Sequence, residues 1–168
     1  MKMNIAIVIT STLLISSSPQ AAGWNVDIFG GEQNNADFDK SYGVGISKRV
    51  TPRAGVGFEV GYTKNQSINS TTGRSLMLTG EYDFIRYGRF STYGGAGLGA
   101  IKVKNQTHSD TVAGGRLSLG ARFSVTPRTK LFLEARRIDA FKDPRIANNN
   151  GRFNYEGDSY LLGIRYRF

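Results

Sequence analysis

From residue 24 onward the chain alternates apolar side chains with small or polar ones, the period-two signature of a strand with two unlike faces. The last nine residues show it most clearly. Tyr160, Leu162, Ile164, Tyr166 and Phe168 share one face, and Gly163, Arg165 and Arg167 share the other. No stretch beyond residue 23 sustains a helical period, so no helix is available to cover the apolar faces.

Eight such segments follow one another. In the first, Trp24 to Gly31, Trp24, Val26 and Ile28 oppose Asn25, Asp27 and Phe29. The second, Ser41 to Val50, sets Tyr42, Val44 and Ile46 against Gly43, Gly45 and Ser47. The third, Gly55 to Thr63, sets Val56, Phe58, Val60 and Tyr62 against Gly57, Glu59 and Gly61. In the fourth, Ser75 to Phe84, Leu76, Leu78, Tyr82 and Phe84 oppose Thr79, Glu81 and Asp83. The fifth, Phe90 to Val103, is rich in glycine. The sixth, Val112 to Val125, opposes Leu117, Leu119, Ala121 and Phe123 to Arg116, Ser118, Gly120 and Arg122. The seventh, Thr129 to Asp139, opposes Leu131, Leu133 and Ala135 to Phe132, Glu134 and Arg136, and the C-terminal segment is the eighth.

The connections alternate in length. Polar stretches at 32–40, 64–74, 104–111 and 140–159 follow the odd strands, and tight turns at 51–54, 85–89 and 126–128 follow the even ones. Val-Thr-Pro-Arg occurs at two of those turns, Val50 to Arg53 and Val125 to Arg128, with proline suited to the first corner of a turn. The echo is either a duplicated half-barrel or two separate solutions to one turn. An even number of strands with one outward apolar row closes into a ring without an edge. Together these features predict an all-β fold, an eight-stranded antiparallel up-and-down transmembrane β-barrel over residues 23–168.

The first 22 residues read as an export signal. Lys2 gives the positive start, Ile5 to Ile15 the apolar stretch, and Ser16 to Ala22 the small-residue exit. The stretch is shorter than the about 20 apolar residues of a spanning helix. Removing it takes away one cation, leaving 21 basic and 13 acidic residues. An exported chain of that charge argues against nucleic acid as partner. No cysteine is present, so the fold has no disulfide or thiolate site.

A barrel of eight strands is just wide enough for side chains to fill. Parity places Asp27, Glu59, Glu81, Asp83 and Glu134 inside, with Arg116, Arg122, Arg136, Arg165 and Arg167. Buried charges are costly unless paired, which predicts ion pairs across the lumen and a plug where an open pore would otherwise lie. Aromatic residues near strand ends, among them Trp24, Tyr42, Tyr82, Phe123 and Phe168, suit two interfacial girdles. Lys48, Arg49, Arg53, Arg86, Arg89, Arg128 and Lys130 fall near the short turns, where anionic inner-leaflet lipid would meet them.

With a signal, eight such strands, the run Tyr93-Gly94-Gly95-Ala96-Gly97-Leu98-Gly99 and a final Tyr166-Arg167-Phe168, the chain resembles the small outer-membrane barrel superfamily that includes the OmpA membrane domain, OmpX and the Ail-type proteins. The resemblance implies a bacterial outer-membrane location among lipid and lipopolysaccharide. It also implies that Leu162, Ile164, Tyr166 and Phe168 are read by the barrel-assembly machinery. No further periplasmic domain is expected after Phe168, so the resemblance does not imply the peptidoglycan-binding role of a longer OmpA.

Some such barrels modify lipid A, so catalysis has to be weighed. The single histidine, His108, adjoins Ser109, and neighbours on a strand point to opposite faces. The lipid A deacylase pattern of His and Ser two residues apart is absent, and no triad geometry is demanded by the sequence. No metal or cofactor is expected, since Glu32, Asp37 and Asp39 lack an EF-hand spacing. What remains is a structural or surface-binding role. Phe141, Arg152, Phe153 and Tyr155 in the longest connection mix aromatic and cationic groups suited to a host glycan or matrix polyanion.

Overall fold

The computed structural model describes residues 23–35, 38–64, 71–104, 109–142 and 156–168. Eight strands run in order: β1 (Trp24–Asn35), β2 (Phe38–Arg49), β3 (Ala54–Lys64), β4 (Thr72–Tyr87), β5 (Phe90–Lys104), β6 (Ser109–Ser124), β7 (Thr129–Ala140) and β8 (Glu156–Arg167). Each pairs antiparallel with its sequence neighbours, and β1 pairs with β8, so the sheet is a closed barrel. At the seam Asn25 faces Arg167, and the Phe168 amide donates to the Trp24 carbonyl at 3.0 Å. Every ladder is thereby paired, as a wall in hydrocarbon requires.

The wall is apolar outside. Phe58, Leu98, Leu117 and Leu162 are each about three-fifths exposed, an arrangement suited to lipid and costly in water. The inner row is buried, and it is less polar than parity alone suggested. Met77, Ile101, Val103, Val112 and Ile138 form one apolar cluster, and Phe29, Phe132 and Leu161 a second. Aromatic rings fill the space that glycine leaves on the facing strand. Phe29 lies over its cross-strand partner Gly43, and Tyr93 over its partner Gly120. A Cβ at Gly43 would sit 2.2 Å from the Phe29 ring, so that packing needs glycine.

The connections differ from the sequence expectation. Residues 32–35 and 38–40 belong to strands, so only positions 36–37 separate β1 from β2. Likewise β6 begins at Ser109 and β8 at Glu156, within stretches expected to be loop. Polar side chains hid these extensions, because backbone pairing continues above the apolar band without an apolar row. On the opposite end β4 and β5 meet in a two-residue turn, Gly88-Arg89, with Gly88 at φ +56°.

The two Val-Thr-Pro-Arg turns share one hydrogen-bond set. Thr51 Oγ1 accepts from the Arg53 and Ala54 amides at 3.2 and 2.8 Å. Thr126 Oγ1 accepts from Arg128 and Thr129 at 3.2 and 2.9 Å. The Val50 and Val125 amides each donate 3.0 Å to the carbonyl four residues on.

Candidate functional site

The charged inner row assembles into two tiers. In the tier nearer the apolar cluster, Glu59 on β3 meets Arg116 on β6 and Arg136 on β7. Arg136 grips it with both terminal nitrogens, Nη1 to Oε1 at 2.7 Å and Nη2 to Oε2 at 3.0 Å. Arg116 donates to Glu59 and, at 3.1 Å, to Glu134. Glu134 also accepts from Arg136 Nε at 2.8 Å and from the Tyr93 hydroxyl at 2.8 Å. The tier therefore holds two carboxylates against two guanidiniums, all buried.

The second tier lies toward the short turns. Arg165 on β8 donates to Asp27 at 2.6 and 2.5 Å and to Glu81 at 2.6 and 2.9 Å. Arg122 on β6 donates to Asp83 at 2.7 Å and also to Glu81. Its guanidinium lies 3.4 Å from the centre of the Tyr93 ring, so Tyr93 joins the tiers through its face and its hydroxyl. Charge-assisted bonds of this kind are the stronger class, and among the described residues only Arg116 Nε and Arg122 Nε of the network are buried without a partner.

Arg49 and Arg86 belong to this tier, although the sequence placed them against inner-leaflet lipid. Arg49 Nη2 lies 2.9 Å from Asp83, and Arg86 Nη2 lies 2.5 Å from the same oxygen. For Arg86 the cause is a β-bulge. The β4–β5 register shifts between Asp83 and Ile85, which leaves Phe84 and Ile85 both outside and returns Arg86 to the lumenal row. For Arg49 inward parity was available in β2, but its place at the strand end obscured it. Arg167 is the converse case. Read by parity as lumenal, it is exposed at the mouth beside Lys130, where the barrel has already opened.

Between the tiers remains a cavity of about 30 Å³, lined by Asp27, Glu59, Glu81, Arg116, Glu134 and Arg165. That is room for one or two waters. The C-terminal row faces outward: Leu162 and Ile164 are exposed, Tyr166 is partly so, and the Tyr166 and Phe168 rings meet edge to face at 5.0 Å. Phe141 is exposed and lies against Gly115 on the outer wall. Arg152, Phe153, Tyr155 and His108 lie outside the described residues, as do residues 1–22. Among the described residues no group of three His, Asp or Glu side chains is placed to hold a metal.

A model of the outer membrane protein beta-barrel domain matches residues 11–168. The chain belongs to that family. Its place is the bacterial outer membrane. Among solved structures this outer-membrane barrel is similar to Neisserial surface protein A, with a TM-score of 0.73 at 18% identity over 88% of this chain and 98% of that one. It is also similar to the outer membrane enzyme PagL, with a TM-score of 0.54 at 16% identity over 86% and 99%. A third likeness is to Ail of Yersinia pestis in complex with the heparin analogue sucrose octasulfate, with a TM-score of 0.51 at 15% identity over 88% and 99%. These likenesses show the fold. A curated relative, "Putative adhesin RC1281" of Rickettsia conorii, is 27% identical over 126 residues, covering 58% of this chain and 49% of the relative. The chain thus spans about half the length of that relative.

Proposed function

We propose that this outer-membrane barrel is a non-enzymatic surface-binding protein, a rigid plugged body whose extracellular connections engage a polyanionic glycan of host or matrix. The observation that carries the reading is the two tiers of ion pairs that, among the described residues, brace opposite walls across the lumen and support a plugged barrel over a channel. The name of the Rickettsia relative and the heparin analogue on Ail both favour a surface-binding role. In this reading Arg152, Phe153 and Tyr155 supply cationic and aromatic contacts. Residues 1–22 serve as the export signal, and Leu162, Ile164, Tyr166 and Phe168 as the signal to the assembly machinery.

The test is attachment of cells displaying the protein to immobilised heparin. Arg152→Ala with Phe153→Ala should reduce attachment while leaving the folded barrel in the membrane; undiminished attachment removes the glycan reading. Purified barrel in planar bilayers should stay silent, and discrete conductance would replace it with a channel. PagL shares the fold and is an enzyme, so lipid A should also be weighed by mass spectrometry after incubation with the barrel. A change in mass that His108→Ala abolishes would make this chain an enzyme.

A further inference from the structure

Beyond the second tier the lumen changes character. The segments that build the short-turn end, 40–58, 84–109 and 111–133, contain no aspartate or glutamate. There the wall encloses a vestibule of about 550 Å³ that carries Arg49, Arg86, Arg89, Lys130, Arg165 and Arg167. The hydroxyl residues Ser91 and Ser124 line it as well, and none of its lining residues is acidic.

The charge of this vestibule is not balanced from below. Three side-chain carboxylates face it from the second tier. Asp27 and Glu81 are held by Arg165, and Glu81 also by Arg122. Asp83 serves three guanidiniums at once, those of Arg49, Arg86 and Arg122, at 2.9, 2.5 and 2.7 Å. Among the described residues Arg89, Lys130 and Arg167 are in no ion pair. The cross-strand register supplies no acid either: Lys130 stands between Ser124 and Arg165, Arg86 faces Ser91, and Arg167 faces Asn25. Like charges directly opposite on neighbouring strands repel, as Lys130 and Arg165 do here.

We propose that the short-turn vestibule is a binding site for a soluble, phosphate-bearing polyanion, held by Lys130, Arg167 and Arg89. A group of charge −2 or more converts their mutual repulsion into charge-assisted contacts, and guanidinium forks match phosphate oxygens in pairs. Ser91 and Ser124 supply neutral donors beside them. Lys130 stands on the inward row of β7, with Phe132, Glu134 and Arg136, and Arg167 follows Arg165 on that of β8, so the ligand enters from water along the barrel axis. A lipid headgroup, tethered to chains outside the wall, meets the outward Lys48 first, which lies over the Trp24 ring at 5.7 Å. The site stands apart from the glycan reading, because it uses none of the long connections.

The experiment titrates the purified barrel in dodecyl maltoside with pyrophosphate, inorganic phosphate or acetate, followed by calorimetry. Pyrophosphate should bind, more tightly than phosphate, with acetate silent and the affinity falling as salt is raised. K130Q, R167Q and R89Q should each weaken pyrophosphate binding on the order of ten-fold, the loss of one charge-assisted contact. K102Q at the other rim and K48Q on the outer face should leave it unchanged. A second arm places the barrel in phosphatidylcholine nanodiscs and counts retained phosphatidylglycerol by mass spectrometry. Retention that K130Q/R167Q abolishes and pyrophosphate does not displace gives the site to a lipid headgroup and overturns the soluble ligand. Absence of pyrophosphate binding overturns the site outright, as does wild-type affinity in K130Q/R167Q shown to be folded by heat-modifiable gel migration.

Discussion

Glu59 and Arg136 are 77 positions apart in sequence and form a two-point ion pair across the lumen, at 2.7 and 3.0 Å. They stand on β3 and β7, four strands apart in a ring of eight, so the pair crosses the widest span the barrel offers. Lumenal charge here is a brace between opposite walls.

Removing Glu59 leaves Arg116 and Arg136 sharing Glu134 alone, and removing Arg136 leaves Glu59 and Glu134 sharing Arg116 alone. Breaking a buried pair from one side costs about 3–5 kcal/mol. Glu59→Leu and Arg136→Met should therefore each lower stability by about that amount. Urea unfolding in lipid, followed by tryptophan emission from Trp24, gives the comparison; a loss at one of the two positions alone would deny the even sharing.

Thr51→Val and Thr126→Val each delete a side-chain acceptor serving two amides in matching turns. Each should cost roughly 1 kcal/mol, with the double variant close to the sum because the turns are separate. The same unfolding experiment tests this. A large cost at one turn alone would show that identical geometry hides unequal strain.

Gly43→Ala drives a methyl into the Phe29 ring and toward the Val60 carbonyl, at 2.2 and 2.7 Å. Overpacking of that kind costs about 1–3 kcal/mol. Gly80→Ala, with open space around it, should be neutral in the same assay. A neutral Gly43→Ala would mean the Phe29 ring turns aside freely.

Deleting Phe168 removes the seam bonds from its amide to Trp24 and from Gly23 to its carbonyl, together with the Tyr166 ring contact. Outer-membrane levels should fall several-fold in cells. Refolding of the purified variant in detergent separates a lost assembly signal from a weakened seam: normal refolding with poor insertion points to the signal, and poor refolding to the seam.

Strand number, order and facing were legible because a two-faced wall in lipid repeats one rule at every step, and Tyr160 through Phe168 state it without interruption. The apolar lumen was harder to see. Met77, Ile101 and Val103 sit in the inner row, where nothing in a one-dimensional pattern separates an apolar plug from an apolar outer face. Arg86 was hidden by the bulge at Asp83, which no local sequence feature announces. Arg49 failed for a different reason, since a long side chain at a strand end reaches inward or outward according to partners on other strands.

The seam between β1 and β8 joins residues more than 120 positions apart, Asp27 and Arg165 among them. Every other ladder joins strands adjacent in sequence, but this one waits until the chain has come full circle. Up to that moment both terminal ribbons present raw amides and carbonyls to any passing partner. A molecule shortened by one hairpin therefore has no smaller ring ready-made, and its natural fate is to cling to its own kind.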